Sequence, residues 1–188
     1  DIPLQHISDK ILKAMNRKGD KNKILSIINK LRNTKNYISI RSTFIVGFPG
    51  ETEEDLNQIK EFLTEYKLNN VGFFAYSREE GTKAYNLKHQ IPNFIKNIRV
   101  KKLQKIQKNV IINNNKNLIN KTLLCVCEEI NDNIVTLRSE YNSPSIDTLV
   151  YAENNGQVNI GDYVNVKITD TNEIDLIGEI INETKSSK

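Results

Sequence analysis

The spacing of apolar residues in the first part of the chain alternates between helical and extended patterns. Apolar residues recur every three or four positions in four segments, which predicts amphipathic helices within residues 7–15, 24–31, 52–66 and 93–110. Short apolar or β-branched runs at residues 1–6, 37–48 and 71–76 predict strands, and the middle one has the composition of a strand buried on both faces. Alternating strands and helices predict a parallel sheet with right-handed crossovers.

From residue 122 onward the pattern changes to a period of two. Asn-, Asp- and Gly-rich turns separate five short strands, predicted at residues 122–128, 134–139, 148–151, 163–169 and 175–181. Five short antiparallel strands are typical of a small OB-like barrel. We therefore divide the chain into residues 1–107, which end in a linking helix, and residues 108–188. We expect the helix to lose definition at residues 113–115 and the tail at residues 185–188 to be disordered.

Charge is distributed unevenly along the 188 residues. Residues 1–117 carry 22 Lys and Arg against 11 Asp and Glu, a balance of +11, whereas residues 118–188 carry 5 against 12, a balance of −7. This split favours two domains with different partners. The acidic second part is poorly suited to a phosphate backbone and better suited to a basic protein.

The cysteines and the hydropathy exclude several classes of protein. Cys125 and Cys127 are the only cysteines, lie two apart on a predicted strand, and have no accompanying metal-ligand spacing, so we predict buried core residues and no metal site. No apolar run is long enough to span a bilayer and no signal peptide is visible, so we expect a cytoplasmic protein without a membrane partner.

The most informative segment runs from Arg41 to Thr52. An uncharged strand leads into the turn Gly47-Phe48-Pro49-Gly50-Glu51, where glycine permits positive φ or close approach to a ligand and proline fixes the bend. Thr52 and Asp55 then form a predicted capping box. Ligands of α/β folds bind at the carboxyl ends of strands, where this turn falls. A tight strand–helix connection without a ligand is the alternative.

These residues resemble a known family. The run resembles the carboxyl-terminal half of the radical S-adenosylmethionine (SAM) methylthiotransferases, and the five-strand module resembles their TRAM domain. The fold class implied is α/β, a partial radical-SAM (β/α) barrel followed by a small all-β, OB-like TRAM barrel. The matching segments, in chain order, are Pro3-Leu4-Gln5-His6-Ile7-Ser8-Asp9, Met15-Asn16-Arg17, Phe44-Ile45-Val46-Gly47-Phe48-Pro49-Gly50-Glu51-Thr52, Ala75-Tyr76-Ser77 and Glu80-Gly81-Thr82.

The family has two main branches. MiaB-like members modify a tRNA adenosine, and RimO-like members add a methylthio group to the β-carbon of an aspartate on small-subunit ribosomal protein S-twelve. The segments at residues 4–6, 77–82 and 143–147 look more like the RimO-like branch. The acidic second domain agrees, because it would dock a basic ribosomal protein. A tRNA methylthiotransferase and a non-catalytic module that contacts RNA or the ribosome are the alternatives.

The resemblance implies SAM and two 4Fe-4S clusters as cofactors. In the family, a radical formed from SAM removes hydrogen from an unactivated carbon, and the second cluster carries the sulfur. Neither set of cluster cysteines occurs in this sequence, so their ligands are not in this chain and we predict that the chain alone is inactive. Because the chain begins Asp1-Ile2-Pro3 with a strand, we expect it to be part of a longer protein.

Several residues are candidates for contact with the cofactor or the substrate. By resemblance, the turn from Gly47 to Glu51 would lie near the adenine of SAM, and Tyr76 could stack on that base. Arg41 could bind the methionine carboxylate as a bidentate donor, or pair with a local carboxylate instead. Gln5 and His6, at the carboxyl end of a strand, could line the substrate cavity. Alternatively, His6 is a hydrogen-bonded structural residue and Tyr76 a packing residue. No residue of the chain is assigned as catalytic.

Overall fold

The computed structural model describes residues 1–144, 146–154, 156 and 158–184, with the backbone alone for residues 182–184. Contacts divide the chain into two compact units, Asp1–Val110 and Ile111–Lys188. The predicted division after residue 107 and the naming of each part as a domain stay predictions.

The first unit contains a parallel sheet covered by helices. Strands β1 (Ile2–Gln5), β2 (Arg41–Val46) and β3 (Asn70–Ala75) lie in that order, and both neighbouring pairs are parallel. The helices are α1 (Asp9–Ala14), α2 (Lys21–Arg32), α3 (Glu53–Tyr66) and α4 (Asn93–Lys116), with a short 3-10 helix at Lys83–Asn86. This alternation confirms the predicted partial (β/α) barrel.

The core of this unit lies on one face of the sheet. Phe44 and Val46 of β2 are fully buried and pack with Leu56, Ile59 and other apolar residues of the helices. The residues of β2 that point the other way are only half-buried, and in β3 the side chain of Phe74 is 62% exposed. The prediction that β2 is covered on both faces is therefore wrong for the residues described, because the helices pack against one face only.

Helix ends follow the local sequence in most places. Thr52 and Asp55 form the predicted capping box at the start of α3. Ser8 is the N-cap residue of α1, but its hydroxyl donates to Asp55 instead of capping its own helix. The predicted loss of helix at residues 113–115 is wrong, since α4 continues to Lys116. In this last turn of α4, Nδ2 of the buried Asn115 donates a hydrogen bond of 2.7 Å to the carbonyl of Ile174. The side-chain amide of Asn115 is therefore hydrogen-bonded inside the protein.

The second unit is a closed five-stranded barrel. Its strands are β4 (Thr122–Asn131), β5 (Ile134–Ser139), β6 (Val150–Glu153), β7 (Tyr163–Asn172) and β8 (Asp175–Thr184), arranged in the order β4-β5-β6-β8-β7. All five lie where the sequence predicts strands. The prediction that every pair is antiparallel is wrong, because β6 and β8 pair in parallel through Val150–Leu176 and Tyr151–Ile177. Alternate residues of each strand fill the barrel core.

Two sequence predictions fall partly outside the residues described. The tail at residues 185–188 lies outside them, as does Ser145 within the segment at residues 143–147. The backbone N–H of Ser143 donates to Oδ2 of Asp147 at 2.7 Å, so the two ends of that segment meet.

Candidate functional site at the carboxyl ends of the strands

The three parallel strands bring most of the candidate residues to one edge of the sheet. Gln5 ends β1 with a φ of 68° and precedes His6, Gly47 follows β2, and Tyr76 follows β3. The N–H of Tyr76 donates to the carbonyl of Val46 at 2.8 Å and so extends the β2–β3 ladder to this edge. Arg41 begins β2 and therefore lies at the opposite edge, roughly 16 Å away along the strand.

The turn after β2 requires its glycines for two different reasons. Gly47 and Gly50 have φ values of 79° and 84°, in the left-handed region that favours glycine. A Cβ on Gly47 would also lie 2.4 Å from Cγ of Lys96, whereas a Cβ on Gly50 would meet nothing within 4 Å. The N–H of Gly50 donates to the carbonyl of His89 at 3.1 Å. The turn is thus tied to the loop before α4.

Glu51 holds the turn closed from inside the protein. Its side chain is fully buried, and Oε2 accepts a hydrogen bond of 2.8 Å from the N–H of Gly47. Nη1 of Arg99 on α4 donates to Oε1 of Glu51 at 2.8 Å and to its carbonyl at 3.2 Å, while Nη2 reaches Oε1 of Glu53 at 2.9 Å. Burying a carboxylate is costly unless a cation and hydrogen bonds of this kind compensate the lost hydration.

His6 is fully buried beside this carboxylate. Its Nδ1 accepts a hydrogen bond of 2.9 Å from the N–H of Ser8, so a neutral imidazole carries its proton on Nε2. Nε2 lies 3.4 Å from Oε2 of Glu51, but the contact lacks hydrogen-bond geometry and this buried nitrogen has no hydrogen-bond partner. A buried donor without a partner is uncommon and needs an explanation.

A second polar cluster joins α1 to α3. Asp55 accepts hydrogen bonds from Ser8 at 2.6 Å, from the backbone and hydroxyl of Thr52, and from Lys10 at 2.6 Å. Burial alone would raise the pKa of the Asp55 carboxyl, but the bonds from Lys10, Ser8 and Thr52 outweigh burial and hold its pKa well below the usual range. The cluster fixes the segment that follows His6.

Tyr76 and Lys96 border a cavity of about 450 Å³ at the end of β3. The ammonium of the buried Lys96 donates to the carbonyl of Tyr76 at 2.8 Å and to Oδ1 of Asn93 at 3.2 Å, and burial lowers its pKa. The ring of Tyr76 meets Phe48 edge-on at 5.1 Å between centroids and lies 5.1 Å from the Lys96 ammonium. The Tyr76 hydroxyl is buried without a hydrogen-bond partner.

This edge fits a polar organic ligand. Two buried polar atoms, Nε2 of His6 and the hydroxyl of Tyr76, belong to residues that directly follow the two outer strands of the sheet, on either side of β2, and neither has a protein hydrogen-bond partner. A ligand with hydrogen-bonding groups and an apolar body could satisfy them, as most small-molecule sites do.

The chain does not offer ligands for an iron–sulfur cluster. Cys125 and Cys127 are buried in the barrel core, as predicted, and each thiol donates to a backbone carbonyl. Burial, and then the charge of Glu140, raise the pKa of the Cys125 thiol to about 12, and burial raises the pKa of Cys127. Thiolates are needed to bind iron. Across the described part of the chain, no three His, Cys, Asp or Glu side chains come together in a way that could hold a metal ion.

The structure therefore gathers Gln5, His6, the turn Gly47–Glu51 and Tyr76, and it does not bring Arg41 to them. Sequence reasoning missed Lys96 and Arg99, and it gave no role to His89. The signal was present for the first two, because they occupy the positions on α4 that precede the apolar residues Leu103 and Ile106 at helical spacing. Cations on the apolar stripe of a helix indicate buried ion pairs or hydrogen bonds.

Comparison with known proteins agrees with this architecture. Residues 1–63 match the Radical SAM superfamily and residues 119–181 match the TRAM domain. The ribosomal protein uS12 methylthiotransferase RimO of Thermoanaerobacter sp. (strain X514) is 45% identical over 179 residues, and that of Clostridium kluyveri is 43% identical over 184 residues. These alignments cover 95% and 98% of this chain, and 41% of each relative.

The chain thus spans about two fifths of the length of these relatives. No helix among the residues described is both long enough and apolar enough to cross a membrane. Strands β1 and β2 and the glycine turn lie within the superfamily segment, and nearly all of the closed barrel lies within the TRAM segment. The chain therefore carries a segment of the Radical SAM superfamily followed by a TRAM domain, and over nearly its whole length it is similar to RimO proteins.

Proposed function

We propose that this chain is part of a cytoplasmic radical SAM methylthiotransferase that adds a methylthio group to the β-carbon of an aspartate on ribosomal protein uS12. The observation that carries the proposal is the 45% identity to a RimO protein through both the radical SAM segment and the TRAM domain. The relatives are named as methylthiotransferases of ribosomal protein uS12, and the acidic balance of residues 118–188 is compatible with a basic protein partner.

We further propose that the edge formed by the strand ends holds SAM. When bound, SAM supplies the radical that removes hydrogen from carbon, together with iron–sulfur clusters whose ligands lie outside this chain. The turn Gly47–Glu51 would present backbone groups to the adenine, beside Phe48 and Tyr76. The buried Glu51–Arg99 pair would keep this turn in one conformation before the ligand arrives, which lowers the cost of binding.

The remaining candidates have separate parts in this proposal. Gln5 and His6 would line the substrate side, where Nε2 of His6 is free to donate a hydrogen bond. Arg41 as a ligand of the methionine carboxylate stays a prediction, and its position at the opposite edge gives it no support.

The proposal is tested in cells from which the gene encoding this chain is deleted. We expect ribosomal protein uS12 to lose the mass of one methylthio group while the methylthio-nucleoside content of tRNA stays unchanged. Intact-protein mass spectrometry and nucleoside analysis on the same cells measure both. Loss from tRNA instead would move the chain to the MiaB-like branch, and no change in either would favour a non-catalytic module.

A matched pair of glycine variants tests the turn in the same cells. Gly47→Ala places a Cβ 2.4 Å from Cγ of Lys96, whereas Gly81→Ala has the same φ of 79° and open space around the new methyl group. We expect the gene with Gly47→Ala to restore little uS12 modification and the gene with Gly81→Ala to restore it. Equal restoration by both would refute the proposed importance of the close contact at Gly47.

A further inference from the structure

The barrel carries a groove on its outer surface that the proposed cofactor site does not involve. The groove has a volume of about 710 Å³ and lies where β6 and β8 meet, with contributions from the ends of β5 and β7. The parallel pairing of β6 with β8 covers only two residue pairs, Val150–Leu176 and Tyr151–Ile177. Beyond these pairs both strands still line the groove, so it opens where the short parallel ladder ends.

The floor of the groove is apolar and partly backbone. Gly178 contributes only backbone to the groove, and a Cβ there would lie 2.5 Å from Cγ1 of the core residue Val166 and 2.7 Å from the carbonyl oxygen of Lys167. Ile134 and Ile177, which are 43% and 39% exposed, stand at its sides. A backbone floor between two exposed aliphatic side chains suits an extended polypeptide segment with small or aliphatic residues on one face.

The charged side chains that line the groove are all acidic among the residues described. Glu153 and Glu179 line it, and no Lys, Arg or His does so among the residues described. The pKa of the Tyr151 hydroxyl, which lines the groove, is raised by burial and by the carboxylates of Asp175 and Glu129. These two carboxylates therefore add to the negative charge at the groove. Lys167 is opposite Glu179 across the β7–β8 ladder and is not among the residues that line the groove. Such a surface repels phosphate and attracts ammonium and guanidinium groups.

We propose that this groove binds an extended, lysine- or arginine-rich polypeptide segment in which aliphatic residues alternate with the cations. The aliphatic side chains pack between Ile134 and Ile177, and the cations face Glu153 and Glu179. The identification of uS12 as the natural source of the segment rests on the proposed function, whereas the binding chemistry of the groove does not.

The test uses the whole chain and a fluorescein-labelled peptide that alternates lysine and valine, with fluorescence anisotropy as the readout. We expect saturable binding that weakens with added salt, and weaker binding of a peptide that alternates lysine and glycine. Failure of the lysine–valine peptide to bind, or equal binding of the two peptides, would overturn the proposal.

Two substitutions locate the binding on the barrel. Glu153→Lys is expected to weaken binding of the lysine–valine peptide about tenfold. The control Glu140→Lys makes the same charge change at an exposed position beyond the other end of β5, and it should alter binding less than about twofold. Equal weakening by both variants would mean general attraction to an acidic protein and would contradict the proposal.

A neutral substitution tests the apolar part. Ile177→Ser is expected to remove most of the preference for the lysine–valine peptide over the lysine–glycine peptide, because that preference comes from packing. A preference that persists in full would refute the apolar contact. Circular dichroism on each variant checks that the barrel remains folded.

The groove and the proposed function can fail separately. If purified uS12 binds the chain without substitutions and Glu153→Lys does not weaken that binding, the proposed groove is wrong, whereas loss of uS12 modification in cells lacking the gene would still support the proposed function. If the peptide-binding results are as expected while uS12 from cells lacking the gene has the same mass as uS12 from normal cells, the proposed groove is supported and the proposed function is refuted.

Discussion

One carboxylate, that of Glu51, connects three parts of the candidate site. It receives the N–H of Gly47 from the turn and the guanidinium of Arg99 from α4, and it lies beside the imidazole of His6 at the end of β1. The sequence places Glu51 in the turn, and the resemblance to a family marks that turn as a candidate. The sequence could not reveal Arg99 as the partner of Glu51, because 48 residues separate Glu51 from Arg99 and only the folded structure determines which cation contacts the carboxylate.

Arg99→Ala is expected to destabilise the first unit by about 3–5 kcal/mol, because it leaves a buried carboxylate without its cation. Urea unfolding followed by the helical circular dichroism signal measures the change. Glu53→Gln is the control, since Glu53 is 61% exposed and its pair with Arg99 should contribute less than about 1 kcal/mol.

A double variant separates the charge effect from lost packing. Glu51→Gln together with Arg99→Ala should be less destabilised than Arg99→Ala alone, because the uncompensated charge is gone. If Arg99→Ala behaved like Glu53→Gln, Glu51 would have to be stabilised by other groups, and the buried pair would not hold the turn.

At the scale of elements, the start of α3 shows what local sequence can predict. The capping box of Thr52 and Asp55 is confirmed because its residues are three apart and need no other part of the chain. Ser8 and Lys10, which also bind Asp55, come from the start of α1. No periodicity links them to α3, so the junction between the two helices could not be predicted.

This junction should make stability depend on pH. Because the pKa of Asp55 is lowered in the folded protein, its contribution is present above the ordinary value near 3.8 and is lost as the pH falls through the folded pKa. We expect Asp55→Asn to be less stable than the unmodified chain at neutral pH, and the difference to shrink as the pH falls below about 3.8. Urea unfolding at a series of pH values measures it.

Glu54→Gln, one position earlier and exposed, is the control. The stability of this variant should depend on pH in the same way as the stability of the chain without substitutions. A constant difference between the Asp55→Asn variant and the unmodified chain at all pH values would contradict the assignment. It would mean that the substitution acts through packing and not through the charge of the carboxylate.

At the scale of the whole molecule, the sequence predicts which elements form better than it predicts how they pair. All three strands of the sheet and all five of the barrel lie where the apolar pattern places them. The parallel contact of β6 with β8 depends on the order of strands around the barrel, which the period of two does not encode. The apolar pattern likewise predicts that β3 is a strand, but it does not show that the second face of β3 stays exposed.

The two cores share no residue, and both cysteines belong to the barrel core. Thiol labelling with iodoacetamide should therefore be slow in the folded chain, since burial raises the pKa of Cys125 to about 12, and should appear when the barrel unfolds in urea. Leu137→Ala, at a fully buried barrel position, should lower the urea midpoint of labelling, with a cost of about 2–5 kcal/mol.

Arg99→Ala is the matched control, because it weakens the other core, and we expect it to leave the labelling midpoint unchanged. A shift of that midpoint equal to the shift caused by Leu137→Ala would show that the two units unfold together. Rapid labelling without urea would contradict the burial of the thiols.

The strand order of the barrel also bears on how the protein is made. Strand β8 lies between β6 and β7 and follows every other barrel strand in the chain. During synthesis, β6 and β7 therefore wait with open edges until β8 has left the ribosomal tunnel, and the barrel cannot close before then. Closure must therefore follow the synthesis of all five barrel strands, after the sheet and helices encoded earlier in this chain have left the tunnel.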